Sequence, residues 1–486
     1  MNRRSRLLTY TGIYAIFYSF CLYKNLGGAT FPFFVIGTLC YIWLSCKEFG
    51  LTWKRNSYFA AASAVILGIS QMLTNNSFLK FFNIVGIFLL IIYLFLHQYS
   101  YDENWRFWQH FKNMFITFWG GFTNIYMPIK DLKDIKRSKS SDAENDKKSF
   151  PWGIVALTAL ITLPFLLGVI ALLASADVVF SQLWEKLLQI KIWDIVLASV
   201  LAIIVFFFVY GIVARLLKFP FNPAASAKKN NPSAIAITVI SMFDVIYVIF
   251  SVIQILYLFI GKMTLPEDYT YAEYAREGFF QLLAVCIFNV ILVILAATIF
   301  EEKKALKILL TIMCACTYVM TASSAFRMIL YIRYYYFSFD RILVLWTCVT
   351  IALILAGLLV QIWKSGFKFF RYCVVVVTGC FIVLSLSRPD YFIAKWNLAQ
   401  ANNAQTDFFL EDGYDDYDYL YWDLSLDAAP VLFKDAKFVS EYLNDYIDCK
   451  YDYDYEGDKK SFKNINFRNF NLSTYLAVKY AKNAGY

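Results

Sequence analysis

Long apolar runs dominate this sequence and limit what it can fold into. Runs of about 18 to 25 apolar residues recur as far as residue 387, separated by short polar stretches. A helix of this length spans the ~30 Å hydrocarbon core of a bilayer. In a helix of a soluble domain, polar residues recur with the helical period of about 3.6 residues and form one polar face. These runs lack such a face. The composition agrees, because 59% of the 486 residues are hydrophobic and only 17% are charged. We therefore predict an all-α polytopic membrane protein.

The apolar runs predict about eleven transmembrane helices. The first run follows Arg3, Arg4 and Arg6 but lacks a small-x-small cleavage site, so we interpret it as a retained anchor and not a signal peptide. The predicted spans are 7–23, 29–45, 58–73, 79–96, 152–174, 194–214, 234–260, 271–299, 306–333, 341–363 and 371–387.

Lys and Arg side chains are distributed unequally between the two sides of these spans. If the N-terminus is cytoplasmic, the inner segments hold 25 of them and the outer connections hold 9. Such an excess marks the cytoplasmic side of a membrane protein. Because the number of spans is odd, the tail from Arg388 onward then lies on the other side. We predict a cytoplasmic N-terminus and an extracytoplasmic C-terminus.

Four parts follow from this pattern. Residues 1–96 form a four-span membrane unit, 97–150 a basic cytoplasmic insert, 151–387 a seven-span core, and 388–486 an acidic, Tyr-rich and mainly helical extracytoplasmic domain. The first half of the insert, NWRFWQHFKNMFITFWGGF, mixes aromatic and basic residues as an interfacial helix does. Its second half, KDLKDIKRSKSSDAENDKKS, is charged and Ser-rich, so we expect the insert to be partly disordered.

Sequence signatures of catalysis, metal binding and nucleotide binding are absent. The chain has only two histidines, His97 and His110, so multi-histidine metal sites and His-based triads are not expected. No Walker loop, G-x-S-x-G, H-E-x-x-H or dinucleotide fingerprint occurs. The net charge of +9 comes mostly from inner-face loops near anionic lipid and does not indicate a nucleic-acid partner. We predict no catalytic residues, no metal and no cofactor, and we expect membrane lipids as partners.

Polar side chains cluster at the start of the eighth predicted span. Glu273, Arg276 and Glu277 are spaced i, i+3 and i+4, so they share one helix face. Glu277 and Arg327 are equally far along the chain from the turn near Glu302, so we predict that they pair at the same depth. The same arrangement can serve only to hold neighbouring helices together. The candidate ligand or ion-pair cluster is Glu273, Arg276, Glu277, Gln281, Arg327 and Tyr331.

Two polar residues fall near the middle of predicted spans. Asp244 lies 10 residues in from the inner end of its span, and Asn289 lies 10 residues in from Ile299. Equal depth predicts that they meet near the bilayer centre. Polar groups at this depth are functional candidates, because placing them in the hydrocarbon core of a membrane costs free energy.

A series of spaced motifs in the later part of the chain carries a resemblance to a known family. The motifs are SADVVF, YAREGFFQLL, SSAFRMILYIRYYYFSFDR, RPDYFIAKWNL, DYLYWDLSLDAAPVL and FRNFNLSTY. They resemble successive signatures of a bacterial integral-membrane family of the DUF4153/DUF4173 type, known only as a domain of unknown function. The resemblance covers roughly 150–486 and leaves the first four spans outside. It implies a multi-pass protein of the bacterial cytoplasmic membrane and implies no established activity.

The resemblance also singles out four polar residues that follow the last span, namely Asp390, Asn397, Asp423 and Asp427. Positions 390, 393 and 397 have helical spacing. We therefore expect this segment to pack back on the outer mouth of the membrane helices, either as part of a site or as a requirement of the fold.

Three functional interpretations remain open. Polar groups at mid-depth and at the outer mouth favour transport, or handling of a lipid or another small molecule, through the seven-span core. An acidic domain outside the membrane favours a non-enzymatic envelope sensor or scaffold with an envelope protein partner. An enzyme acting on a lipid-linked substrate would need acidic residues at the outer face, such as Glu273, Glu277, Asp390 and Asp427.

Overall fold

The computed structural model describes residues 3–103, 105–139, 191–221, 231–256, 279–364, 366–401, 416–450 and 467–484, with a few residues between 162 and 177. These parts of the chain are helical and contain no strand; Asn231 and Phe300 form an isolated bridge. The helices up to residue 386 are α1 (Arg3–Leu22), α2 (Thr30–Glu48), α3 (Ser57–Leu73), α4 (Ser77–Tyr99), α5 (Phe107–Thr123), α6 (Met127–Lys139), α7 (Lys191–Lys218), α8 (Ser233–Gln254), α9 (Phe279–Ile299), α10 (Lys304–Tyr335), α11 (Phe339–Trp363) and α12 (Phe369–Leu386).

Eight of these helices, α2, α4 and α7 to α12, are long and apolar enough to cross a membrane. The sequence predicted eleven spans. Among the described residues, the structure supports eight. α1 and α3 form where spans were predicted, but α3 has only 17 residues and α1 carries Thr, Tyr and Ser residues along its length. The predicted span 152–174 lies almost entirely outside the described residues. The protein is therefore a multi-pass helical membrane protein, with eight candidate spans among the residues that the structure describes.

The long helices pack in two groups. α1 to α4 pack in sequence, and α7 packs against α1 and α5, so it joins this group and not the later spans that follow it. In the second group α10 is central, because it contacts α8, α9 and α11. α12 packs against α11 and against α3, which joins the two groups. Each group has its own cluster of buried apolar side chains.

The predicted cytoplasmic insert begins with two helices. α5 covers most of the aromatic and basic stretch that predicted an interfacial helix. It packs closely on α7, where a Cβ on Gly211 would lie 2.6 Å from the carbonyl oxygen of Gly121.

α6 extends to Lys139, so the start of the stretch expected to be disordered is helical, and residues 140–150 lie outside the described parts. Asp131 of α6 accepts hydrogen bonds from Arg4 and Tyr210.

The residues after α12 form short helices around a further cluster of buried apolar side chains, which includes Ile393, Leu432, Phe438 and Tyr446. They are α13 (Pro389–Ala401), α14 (Asp416–Trp422), a 3-10 turn (Leu426–Ala428), α15 (Ala429–Leu432), α16 (Ala436–Glu441), α17 (Leu443–Lys450), a second 3-10 turn (Phe467–Asn469) and α18 (Leu472–Asn483).

These C-terminal helices dock on one end of the membrane helices, which we call the docked end. Ser473 donates to the carbonyl of Leu73, and Asn471 donates to the carbonyl of Thr74. The first residues of α7 also lie at this end, because Lys24 pairs with Asp194 at 2.8 Å. The opposite end, which we call the N-terminal end, carries the start of α1, the C-terminus of α2 and α6.

Candidate functional site

The predicted ion-pair cluster falls partly outside the described residues. Glu273, Arg276 and Glu277 are not among them, so the pairing of Glu277 with Arg327 stays a prediction. Gln281 is exposed on α9, whereas Arg327 is buried on α10. Tyr331 lies under the guanidinium group of Arg341, which is 4.3 Å from the centre of its ring.

The face of α10 that turns toward α8 and α9 is polar. Asn289 of α9 donates to the hydroxyl of Thr317 at 3.1 Å, and Ser323 donates to Gln254 of α8 at 2.6 Å. Thr317 also donates to the carbonyl of Met313 within its own helix, which satisfies its hydroxyl without water. The buried polar residues of this face of α10 are Thr317, Thr321, Ser323, Ser324 and Arg327.

Asp244 and Asn289 both lie on this polar interface. Asp244 is 4% exposed and Asn289 is fully buried. Tyr247 lies beside the Asn289 amide and within electrostatic reach of Asp244. A direct contact between Asp244 and Asn289 stays a prediction. Tyr247 lies close to both residues.

A second polar site joins the C-terminal helices to the docked end, and we call it the carboxylate junction. Asp427 accepts hydrogen bonds from the Thr74 hydroxyl at 2.5 Å and from the backbone N–H of Asn75 at 2.6 Å. Asp390 accepts from Asn76 at 2.9 Å, and from the hydroxyl and backbone N–H of Ser425 at 2.5 and 3.1 Å. The three donors to Asp390 all reach its Oδ2, which leaves Oδ1 buried without a hydrogen bond.

The carboxylate junction raises the pKa of Asp390. Burial is the main cause, and the nearby charge of Asp427 acts in the same direction, while the hydrogen bonds from Ser425 and Asn76 oppose it. Asp390 and Asp427 are 1% and 0% exposed, so neither carboxyl group can reach a substrate in this arrangement. Their burial argues against a role as catalytic acid and base.

The other two residues of the predicted C-terminal motif have different surroundings. Asn397 receives a hydrogen bond from the backbone N–H of Phe337 and donates to its carbonyl, so it fixes the turn between α10 and α11. Asp423 is exposed and does not join the carboxylate junction. The contacts of Asp390 and Asn397 agree with the expectation that this segment packs back on the membrane helices.

Sequence reasoning missed the partners of the carboxylate junction. Thr74, Asn75 and Asn76 form the short connection between α3 and α4, and Asn76 also caps α4 by accepting from Leu79. A run of Thr-Asn-Asn at a helix start has an ordinary capping role, so nothing in it indicated two carboxylate partners far along the chain.

A buried ionic cluster at the N-terminal end was also missed. His97 and Asp102 are 2.7 Å apart, and Arg371 of α12 pairs with the other oxygen of Asp102 at 3.2 Å. Lys54 donates to the carbonyls of His97 and Ser100. His97, Arg371 and Lys54 together hold the pKa of Asp102 below its usual value despite its burial, which acts the other way. Among the residues that the structure describes, no group of three or more His, Cys, Asp or Glu side chains could hold a metal.

An apolar groove of about 680 Å³ lies between α4, α5 and α12. It extends from Phe82 and Phe381 toward the docked end to Tyr93, Phe107 and Phe370 at the N-terminal end. Along α4 this is eleven residues, or about 16 Å at ~1.5 Å per residue. Phe370, at its N-terminal end, stacks on His110 at 4.1 Å and precedes Arg371 of the ionic cluster.

The chain matches one family over most of its length. Residues 61–434 match a family described as "Domain of unknown function (DUF4153)". The match begins within α3, earlier than the resemblance in the sequence indicated, and ends just after α15. No curated protein and no solved structure matches this chain. Because the match covers well over half of the sequence, the chain belongs to the family of membrane proteins that contain the domain of unknown function DUF4153.

Proposed function

We propose that this protein binds and handles a membrane lipid, whose hydrocarbon chain occupies the groove between α4, α5 and α12. The observation that carries the proposal is the groove itself, about 680 Å³ in volume and lined almost entirely by apolar side chains. This volume is within the range of about 300 to 1,000 Å³ typical of small-molecule sites. An apolar groove on a membrane-spanning surface is in direct contact with lipid chains, which are its most abundant ligand.

The hydrocarbon chain alone gives little selectivity, because lipid tails are as apolar as the groove and the surrounding bilayer. Selectivity has to come from the polar end. At the N-terminal end of the groove, the chain carries several cationic residues close in sequence to Phe107 and Phe370. Lys368 pairs with the exposed Glu103 at 3.6 Å, and exposed ion pairs of this kind contribute little to stability. By chain position, Arg106 and Lys112 adjoin the groove residues Phe107 and Phe111, and Lys364 and Lys368 precede the groove residue Phe370.

These charges favour an anionic phospholipid. A phosphate headgroup at the membrane surface would lie level with Lys364 and Lys368, which precede α12, while its chain follows α12 into the groove. The excess of Lys and Arg in the loops at this end supports a cytoplasmic orientation for it. We therefore propose a lipid of the inner leaflet of a bacterial cytoplasmic membrane, with the C-terminal helices on the outer side.

A pair of matched variants tests the proposal. Val377 lines the groove, and Val383 lies on the same helix, 69% exposed, outside the lining. Val377→Trp fills the groove, whereas Val383→Trp adds the same ring at a position facing away from it. The protein is purified in nanodiscs of mixed zwitterionic and anionic lipids, and the lipids that stay bound are identified by native mass spectrometry.

We expect wild type and Val383→Trp to retain an anionic phospholipid and Val377→Trp to lose it. Equal retention by all three proteins would contradict the proposal. Retention of lipid without regard to headgroup charge would contradict the anionic class and leave the groove as a general hydrocarbon site.

A sensing role is the second candidate, and one observation favours it. The C-terminal helices are attached to the membrane helices through the carboxylate junction, where the pKa of Asp390 is raised. The hydrogen bonds of this junction change when Asp390 gains or loses its proton, so the attachment of the C-terminal helices is a contact that responds to pH. Hydrogen exchange of α18 at two pH values would test whether the attachment responds.

A further inference from the structure

Asp244 lies at the centre of a candidate membrane span. It is the twelfth of the 22 residues of α8, so about 16 Å of helix lies on either side at ~1.5 Å per residue. Its side chain turns away from the exposed face of α8, which carries Met242, Val245 and Ile246. The carboxyl group therefore faces protein, 4% exposed, at the middle of a candidate span.

Within the described residues, the titratable groups close to the Asp244 carboxyl are two cysteines and a tyrosine. From α10, Cys314 and Cys316 are within electrostatic reach of it, and from α8 itself so is Tyr247. From α9, Asn289 lies beside Tyr247 and does not titrate. In the described part of the chain, neither oxygen of the Asp244 carboxyl receives a hydrogen bond. The described residues of this interface therefore supply no hydrogen-bond donor to the Asp244 carboxyl, and the cation among them, Arg327, lies eleven residues further along α10 than Cys316.

An ionised carboxylate in such a place is costly. Moving it from water to an apolar medium without a partner costs far more than a typical hydrogen bond returns, so the group takes up a proton instead. Ionisable residues inside membrane segments are rare, and they recur in proton relays. Three features of Asp244 favour the protonated, neutral carboxyl group: its burial, its neutral neighbours and its two oxygens without hydrogen bonds.

We infer that Asp244 is a proton-binding site of the membrane core, held as the neutral acid at the interface of α8 with α10. The ligand is the proton, and loss of the proton leaves a charge facing Cys314 and Cys316. The α8–α10 interface then has to open or admit water. The site thus couples the proton to the packing of these two helices, and it does so independently of any lipid in the groove.

Infrared difference spectroscopy tests the inference on the full chain in nanodiscs. A protonated carboxyl has a carbonyl band that is separate from the bands of carboxylates. The spectrum of wild type minus Asp244→Asn is expected to contain this band, with the intensity of a single carboxyl, at neutral pH. Asp244→Glu should restore a band at a shifted frequency. Asp423→Asn changes an exposed carboxyl and should remove no such band.

The outcomes separate a proton site from its alternatives. No carbonyl band lost in Asp244→Asn would mean an ionised, paired carboxylate and would overturn the inference. Loss of the wild-type band on replacing choline with sodium would identify a cation site and would also overturn it. Asp244→Asn imitates the neutral acid and should keep the thermal stability of wild type, so a marked drop in melting temperature would count against the inference as well.

Discussion

Asp427 accepts a hydrogen bond from the hydroxyl of Thr74 at 2.5 Å, although 353 positions separate the two residues. The contact joins the 3-10 turn before α15 to the connection between α3 and α4. With Asp390 and Asn76 beside it, this contact holds the C-terminal helices at one end of the membrane helices. The attachment is buried, so its strength depends on every donor having its acceptor.

The first prediction concerns the strength of this attachment. Asp427→Ala removes the acceptor of the Thr74 hydroxyl and of the Asn75 N–H. Each buried donor left without an acceptor costs about 1–3 kcal/mol. We expect faster hydrogen exchange in α13 and α18, measured by mass spectrometry. Asp423→Ala, a nearby exposed carboxylate, is the control and should leave exchange unchanged; equal protection in both variants would contradict the role of Asp427.

The second prediction concerns pH. Because the pKa of Asp390 is raised, the docked state favours its neutral form. Its contribution to stability is therefore complete at acidic pH and is lost as the pH rises through the raised pKa. Asp390→Asn imitates the neutral acid, since the amide oxygen can accept from Ser425 and Asn76. We expect hydrogen exchange of the C-terminal helices to increase with pH in wild type and to vary less in this variant; identical pH profiles would refute the idea.

The third prediction concerns the ionic cluster of His97, Asp102 and Arg371. Arg371→Gln leaves the Asp102 charge with fewer partners inside the protein, and breaking a buried pair typically costs about 3–5 kcal/mol. Glu103→Gln breaks only the exposed pair with Lys368 and should cost less than about 1 kcal/mol. Thermal unfolding in detergent at neutral pH distinguishes the two.

The same cluster predicts a pH dependence of opposite sign. The pKa of Asp102 is lowered, so its stabilisation is present above the ordinary pKa of an aspartate and is lost as the pH falls through the lowered value. Asp102→Asn should therefore destabilise the protein at neutral pH and change the melting temperature less at strongly acidic pH. A difference from wild type that is the same at both pH values would contradict this assignment.

The fifth prediction concerns the crossing of α5 and α7. A Cβ at Gly211 would lie 2.6 Å from the carbonyl oxygen of Gly121, a backbone atom that cannot rotate away. Gly211→Ala should therefore separate the helices and lower the melting temperature. Gly379→Ala on α12 meets no atom within 4 Å and should be neutral or stabilising by up to about 1 kcal/mol. Equal stability of the two variants would show that the close crossing is unimportant.

Hydropathy alone predicted where the helices lie. The apolar runs at 29–45 and 79–96 correspond to α2 and α4, because burial in a membrane needs only length and apolar composition. The runs at 7–23 and 58–73 were also predicted as spans, but α3 is short, α1 is interrupted by hydroxyl groups, and neither is among the eight candidate spans. The packing of α7 on α1 was beyond the sequence, since an apolar surface does not specify its neighbour.

For the polar sites too, some features could be predicted from the sequence and others could not. Positions near the middle of a helix could be predicted for Asp244 and Asn289, because helical rise is regular, whereas their common depth in the membrane stays a prediction. The partners that Thr74, Asn75 and Asn76 provide for Asp427 and Asp390 could not, because these residues lie in a loop more than 300 positions earlier. The ionic cluster around Asp102 was hidden for the same reason, since Arg371 belongs to a helix 269 positions away.

The most direct test of lipid binding is a density map of the protein by electron cryomicroscopy in nanodiscs that contain anionic phospholipid. We expect an elongated density along α12, between Phe82 and Phe370, that ends in a headgroup near Lys364 and Lys368. An empty groove would contradict it, and so would density continuous with the polypeptide, because the groove would then be filled by the chain itself.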